Sequence, residues 1–226
     1  ARPATKEEFF DFYTVTENLS IAAGLPMPKL YVIDDPSPNA FATGRDYSHG
    51  VVCATTGLLS SLERAEIEGV VAHELSHIKN YDMLVMTITA VLVGTLSLVA
   101  DMIMRSLWWG GDNRDRKNTH PALFVLLLVA LIITPIVAML IQLAVSRRRE
   151  YLADASAALL TRYPEGLAQA LEKISSFPHG VQTATTSTAH LFIANPLKKT
   201  SVASWLSQLF STHPPAEKRI ELLRRM

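Results

Sequence analysis

Val70-Val71-Ala72-His73-Glu74-Leu75-Ser76-His77 reads H-E-x-x-H within a segment of helical character. Two histidines four positions apart on a helix share a face, one turn above the other. Their imidazoles can hold one Zn²⁺ at about 2.0–2.1 Å per bond. Glu74, next to the first histidine, reaches a water at the metal without ligating the metal itself. That is the station of a general base in metal-assisted hydrolysis. The competing reading is a helix with two surface histidines and a solvated glutamate. A pattern with two free positions arises by accident in roughly one chain in a hundred of this composition.

Outward from this motif, the preceding residues read as an amphipathic helix over 4–24. Thr5 and Glu8 have capping-box spacing, and Gly24 and Pro26 end the helix. Leu30–Ile33, Asn39–Gly44 and Gly50–Ala54 are short strand candidates separated by turn residues, predicted to form a small antiparallel sheet. The motif helix is expected to begin near 60–64, with Glu63, Glu66 and Glu68 in its first turns, where negative charge suits the dipole.

After the motif the composition changes. Residues 83–104 carry one charge, Asp101, and as a helix cover about 33 Å at 1.5 Å per residue, enough for a bilayer core. Trp108 and Trp109 follow, where an interfacial belt belongs. A polar loop over 105–120 leads to a second uncharged run, 121–146, interrupted by Pro135 and ended by Arg147-Arg148-Arg149. These runs predict a two-helix transmembrane hairpin. The chain then divides into 1–82, the hairpin 83–146, and 147–226, the last with a Thr/Ser-rich stretch over 178–190 and a final basic helix opened by His213-Pro214-Pro215. Lys and Arg flank the two ends of the hairpin equally, so the positive-inside rule leaves orientation open.

The net charge is zero, which removes the basic surface expected of a nucleic-acid binder. Cys53 is the one cysteine, excluding an intrachain disulfide and a Cys-rich metal cluster. The mean hydropathy of +0.20 comes from the two apolar runs. A start at Ala1 without a signal-peptide pattern reads as a fragment or processed product.

A catalytic zinc site needs a third protein ligand and an open position. A hairpin that leaves after His77 and returns before Glu150 brings both to one membrane face, within about 10 Å. Glu150 and Asp154 stand at i and i+4 on one helix face. Glu150 is the candidate third ligand. Asp154 is the candidate acceptor from the far nitrogen of a ligating histidine. A solvated ion pair between Glu150 and the three arginines is the competing reading.

Four stretches, His73–Asp82, Ser146–Asp154, Asn39–Gly44 and Thr212–Pro215, together resemble the HtpX-type membrane zinc proteases of peptidase family M48, relatives of the Ste24 CAAX proteases and OMA1. The resemblance implies a mainly α (α+β), gluzincin-like protease domain, with the hairpin inserted between the zinc-ligand helices. It implies Glu150 as the third ligand beside His73 and His77, with one Zn²⁺ per chain. It implies a substrate-binding edge strand at Asn39, Ala40, Phe41 and Ala42. His213 is implied as an oxyanion donor, with Arg219 behind it. It further implies a multi-pass protein of the bacterial inner membrane, with a cytoplasmic active site that degrades damaged or misfolded membrane proteins. HtpX proteins usually carry apolar segments ahead of the region matching residues 1–30.

The expectation is therefore a zinc endopeptidase with polypeptide substrates in contact with a lipid bilayer, and Glu74 as base. A CAAX-type prenyl-peptide protease and a non-proteolytic zinc-binding membrane chaperone are the alternatives. Asp82, five after His77, reads either as a second partner of the site or as a boundary residue.

Overall fold

The computed structural model describes residues 1–109, 121–177 and 214–226. Its order is β1 (Arg2–Pro3), α1 (Phe10–Ala23), β2 (Lys29–Ile33), β3 (Ala40–Thr43), a 3₁₀ turn (Tyr47–His49), β4 (Val51–Thr55), α2 (Thr56–Ser61), α3 (Arg64–Lys79), α4 (Asp82–Trp109), α5 (Pro121–Thr161), α6 (Pro164–Ser176) and α7 (Ala216–Leu223).

The sheet corrects the antiparallel expectation. Its order is β1-β2-β4-β3, with β2 parallel to β4 and the outer pairs antiparallel. The link from β2 to β3 crosses the end of β4, where the Thr55 hydroxyl donates to Ser37 O at 2.8 Å and accepts from Asn39 N at 2.9 Å. That crossing carries β3 past β4, so β4 pairs between its two predecessors. A fourth strand, too short to read from sequence, adds Arg2 opposite Val32.

The first helix starts at Phe10 rather than near residue 4. Ala4 N donates to Leu30 O at 2.9 Å, and Arg2 holds Glu8 through two hydrogen bonds of 2.5 and 2.6 Å. The segment is thereby tied to the sheet before a helix can propagate. Glu8 N reaches Thr5 Oγ1 at 3.4 Å, capping only a turn. Gly24 closes α1 at φ 70, a conformation glycine adopts without steric cost.

The motif helix, expected to begin near 60–64, is α3 from Arg64, and a short helix not foreseen from the sequence, α2, precedes it. Thr55 caps α2, and α3 begins afresh at a capping box in which Glu63 and Glu66 satisfy each other's backbone N–H groups. One face of α3 buries Ile67, Val70, Val71 and Leu75 against Phe12 and Val15 of α1, Val52 and Ala54 of β4, and Leu167 and Leu171 of α6, all in one core cluster. Gly69 lets α3 approach α6, since a Cβ there would meet Leu167 N at 2.6 Å.

The chain forms two compact units, 1–84 with 146–226, and 85–145. In the second, α4 and α5 present apolar side chains outward: Val91, Leu92, Leu98 and Met102 on α4, Ile132, Leu140 and Ile141 on α5. Both helices are long enough to cross a bilayer, with mean hydropathies of 2.3 and 2.6 over their apolar parts and few buried residues. A soluble core helix would be buried. α5 does not stop at the arginines but runs through Pro135 and on past Asp154 to Thr161. The stretch 178–190 and His213 lie outside the described residues.

Candidate metal centre

α3 carries His73 and His77 one turn apart, and α5 carries Glu150 and Asp154 one turn apart. Both helices are fixed by the first unit's core, so the pairs face each other on rigid backbone. His73 Nε2 and His77 Nε2 stand 3.1 Å apart, with ring planes at 88°. Glu150 closes the triangle, its Oε2 3.7 Å from His73 Nε2 and its Oε1 3.6 Å from His77 Nε2. Among the described residues this is the group of three donors able to hold a metal ion, all within 4.8 Å of one another.

The opposite nitrogens of both rings meet carboxylates. His73 Nδ1 lies 3.0 Å from Asp154 Oδ1, and His77 Nδ1 lies 2.7 Å from Asp82 Oδ2. A carboxylate accepts, so each Nδ1 carries the proton and each Nε2 presents its lone pair to the centre. Asp154 is in turn gripped by Arg219, which donates from Nε at 2.8 Å and from Nη2 at 2.7 Å. Arg219 Nη1 also reaches Glu150 Oε2 at 3.1 Å. The arginine is 1 % exposed. Burial opposes its charge, but Asp154 and Glu150 outweigh that and hold its pKa above the ordinary value.

Glu74 is buried beside the two imidazoles. Burial pushes its carboxyl up, and Glu150 adds to the push. The imidazoles and a hydrogen bond from Ala42 N–H work against it. That bond joins the centre to β3, the end strand of the sheet. Thr55 N donates to Asn39 O at 2.9 Å, so Asn39, Phe41 and Thr43 face β4 and the backbone groups of Ala40 and Ala42 face the open side. Ala40 N–H is capped by Asn39 Oδ1 at 3.0 Å.

The structure thus brings His73, Glu74, His77, Glu150, Asp154 and Arg219 together, with the strand from Asn39 to Ala42 alongside. Asp82 joins them, a residue that spacing left undecided. Its signal was an acidic side chain just past the motif helix.

The family model for peptidase family M48 matches residues 8–226. The chain belongs to peptidase family M48. Over its whole length this M48 peptidase is 54 % identical to a protease HtpX homolog of Dictyoglomus thermophilum, covering 72 % of that relative. It is 50 % identical to a protease HtpX homolog of Tropheryma whipplei, covering 76 % of it. The crystal structure of S. mikatae Ste24p superposes with a TM-score of 0.58 at 21 % identity, over 93 % of this chain and 49 % of that one. At that identity the likeness shows the fold alone. This M48 peptidase is a membrane metalloprotease whose substrates are polypeptides. Neither the prenyl-peptide nor the chaperone alternative is favoured.

Proposed function

We propose that the metal is zinc, held by His73, His77 and Glu150, and that Glu74 is the general base of peptide hydrolysis. The observation that carries this reading is the convergence of two imidazole lone pairs and a carboxylate on one point. Tetrahedral bonds of about 2.0–2.1 Å put ligand atoms about 3.3 Å apart. The three separations here, 3.1, 3.6 and 3.7 Å, bracket that edge. Without a cation the three donors would repel, so the set fits a divalent ion. Two imidazoles and one carboxylate, with a fourth position open, is a donor set of catalytic zinc.

When bound, the ion polarises the scissile carbonyl and acidifies the attacking water. The remaining work falls to the protein. Glu74 takes the proton from the water and passes it to the leaving amine. Its burial favours the first half of this shuttle, because a carboxylate raised above its ordinary pKa is a stronger base. The stretch Asn39, Ala40, Phe41 and Ala42 binds the substrate, with the backbone of Ala40 and Ala42 on the open side of β3 pairing with the peptide and laying the scissile bond beside Glu74. Asp154 and Arg219 fix the His73 ring and the Glu150 carboxylate. His213 is retained as oxyanion donor from the sequence resemblance.

We further propose a multi-pass protein of the bacterial inner membrane with its active site on the cytoplasmic face, acting on damaged or misfolded membrane proteins. The outward apolar faces of α4 and α5 support the bilayer setting. The domain boundaries 1–82, 83–146 and 147–226 belong to the same reading. The test is cleavage of casein by the detergent-solubilised protein, with metal analysis. Cleavage that stops with a chelator and returns with Zn²⁺ supports the reading. Chelator-insensitive cleavage overturns the zinc mechanism.

A further inference from the structure

We propose that Asp82 and Arg149 form a positioning relay for His77, the counterpart of the one Asp154 and Arg219 form for His73. The proposal rests on His77 as a metal ligand.

α3 ends at Lys79, and the chain turns through Tyr81 at φ 55, a left-handed conformation uncommon for a side chain of this size. Tyr47 packs edge-on against Tyr81 with ring centroids 5.7 Å apart, helping to hold the turn. The turn brings Asp82, the first residue of α4, back beneath His77. Asp82 is 4 % exposed, and its Oδ2 lies 2.7 Å from His77 Nδ1. Its other oxygen pairs with the Arg149 guanidinium. Arg149 also donates from Nη2 to Asn80 O at 2.6 Å, so it clamps the turn and the carboxylate together.

A buried carboxylate needs a counter-charge, and Arg149 supplies it. The carboxylate fixes the His77 tautomer and makes Nε2 a stronger donor. Arg149 is adjacent to Glu150, so one turn of α5 provides both a metal-ligand candidate and the cation of this relay. The competing role for Asp82 is purely local: an acidic first-turn residue favoured by the α4 dipole. That role predicts a change in stability and none at the metal.

The test uses the full chain in detergent, loaded with Co²⁺ as a spectroscopic stand-in for zinc. Metal affinity is read by chelator competition and ligand field by visible absorption, for His77→Ala, Asp82→Asn, Arg149→Gln and Arg149→Lys. Asp82→Asn is expected to weaken binding about 10–100-fold and shift the Co²⁺ spectrum. Arg149→Gln should shift it too, and Arg149→Lys should restore the parent spectrum. Parental affinity and spectrum in Asp82→Asn, beside a His77→Ala protein that has lost metal, overturn the relay and leave the centre standing. Parental affinity in His77→Ala overturns the centre itself. If Asp82→Asn does not fold, the Arg149 pair decides: a parental spectrum in Arg149→Gln overturns the relay.

Discussion

The two imidazoles of the motif helix are held by the same chemistry in two different settings. His73 leans on Asp154, and Asp154 on Arg219, all within the packed interior and all at most 3 % exposed. His77 leans on Asp82, and Asp82 on Arg149, but here the His77 side chain is 17 % exposed and the Arg149 side chain 22 %. The first chain of contacts joins α3 to α5 and α7. The second joins α3 to the ends of α4 and α5 that run on into the apolar unit. The same order of partners therefore does not mean equal consequences. Removing Arg219 strips two buried acids of their partner in the dry interior, whereas removing Arg149 strips one and vacates a position that water reaches.

The largest effect is expected where the two chains of contacts meet. Glu74→Gln leaves both intact, and metal content should match the parent while casein cleavage falls about 10²–10⁴-fold. Activity within tenfold of the parent would remove Glu74 as the base.

Next come the arginines. Arg219→Ala leaves Asp154 and Glu150 as buried charges, and thermal unfolding in detergent should show a loss of about 3–5 kcal/mol. Arg149→Ala leaves one buried carboxylate, Asp82, rather than two, and vacates a partly exposed position, so its cost should be smaller, about 1–3 kcal/mol. Equal losses would erase the distinction between the two settings.

Metal affinity sharpens it further. Glu150→Gln removes a charged oxygen from between the two rings, and Asp154→Asn only loosens one of them. Chelator titration should rank parent above Asp154→Asn, weaker by about 10–100-fold, and that above Glu150→Gln. Full-affinity binding by Glu150→Gln would take that residue out of the site.

The smallest effect lies outside both. Glu66 caps α3 and pairs with Lys173 Nζ at 2.7 Å. Glu66→Ala should cost about 1 kcal/mol of stability and leave metal affinity unchanged. A drop in affinity would mean that the start of α3 influences the ring positions at its far end.

Much of the centre was legible because it obeys local periodicity. His73 and His77, and Glu150 and Asp154, are each one helical turn apart, and that geometry survives any tertiary context. The hairpin was legible because apolar length is a property of composition. Asp82 was not. On an unbroken helix a residue five after His77 sits about 140° round the axis, facing away. Only the break at Lys79 and the left-handed Tyr81 return it to the ring. The parallel pairing of β2 with β4 escaped for a similar reason, because strand order depends on how the link over Ser37 and Asn39 crosses the sheet. Arg219 stood in a terminal basic helix, where a solvated side chain is the ordinary outcome.

The sequence by itself determined the motif helix, the two apolar helices, the pairing of ligand candidates along each helix and the family. Each follows from spacing or composition, which act over a turn or a span of chain. Tertiary structure alone decided which acids meet which rings, that Arg219 is buried rather than solvated, that β4 lies between β2 and β3, and that Asp82 turns back beneath His77. Those outcomes depend on contacts between residues far apart in the chain or across a break in a helix, and no local period encodes them.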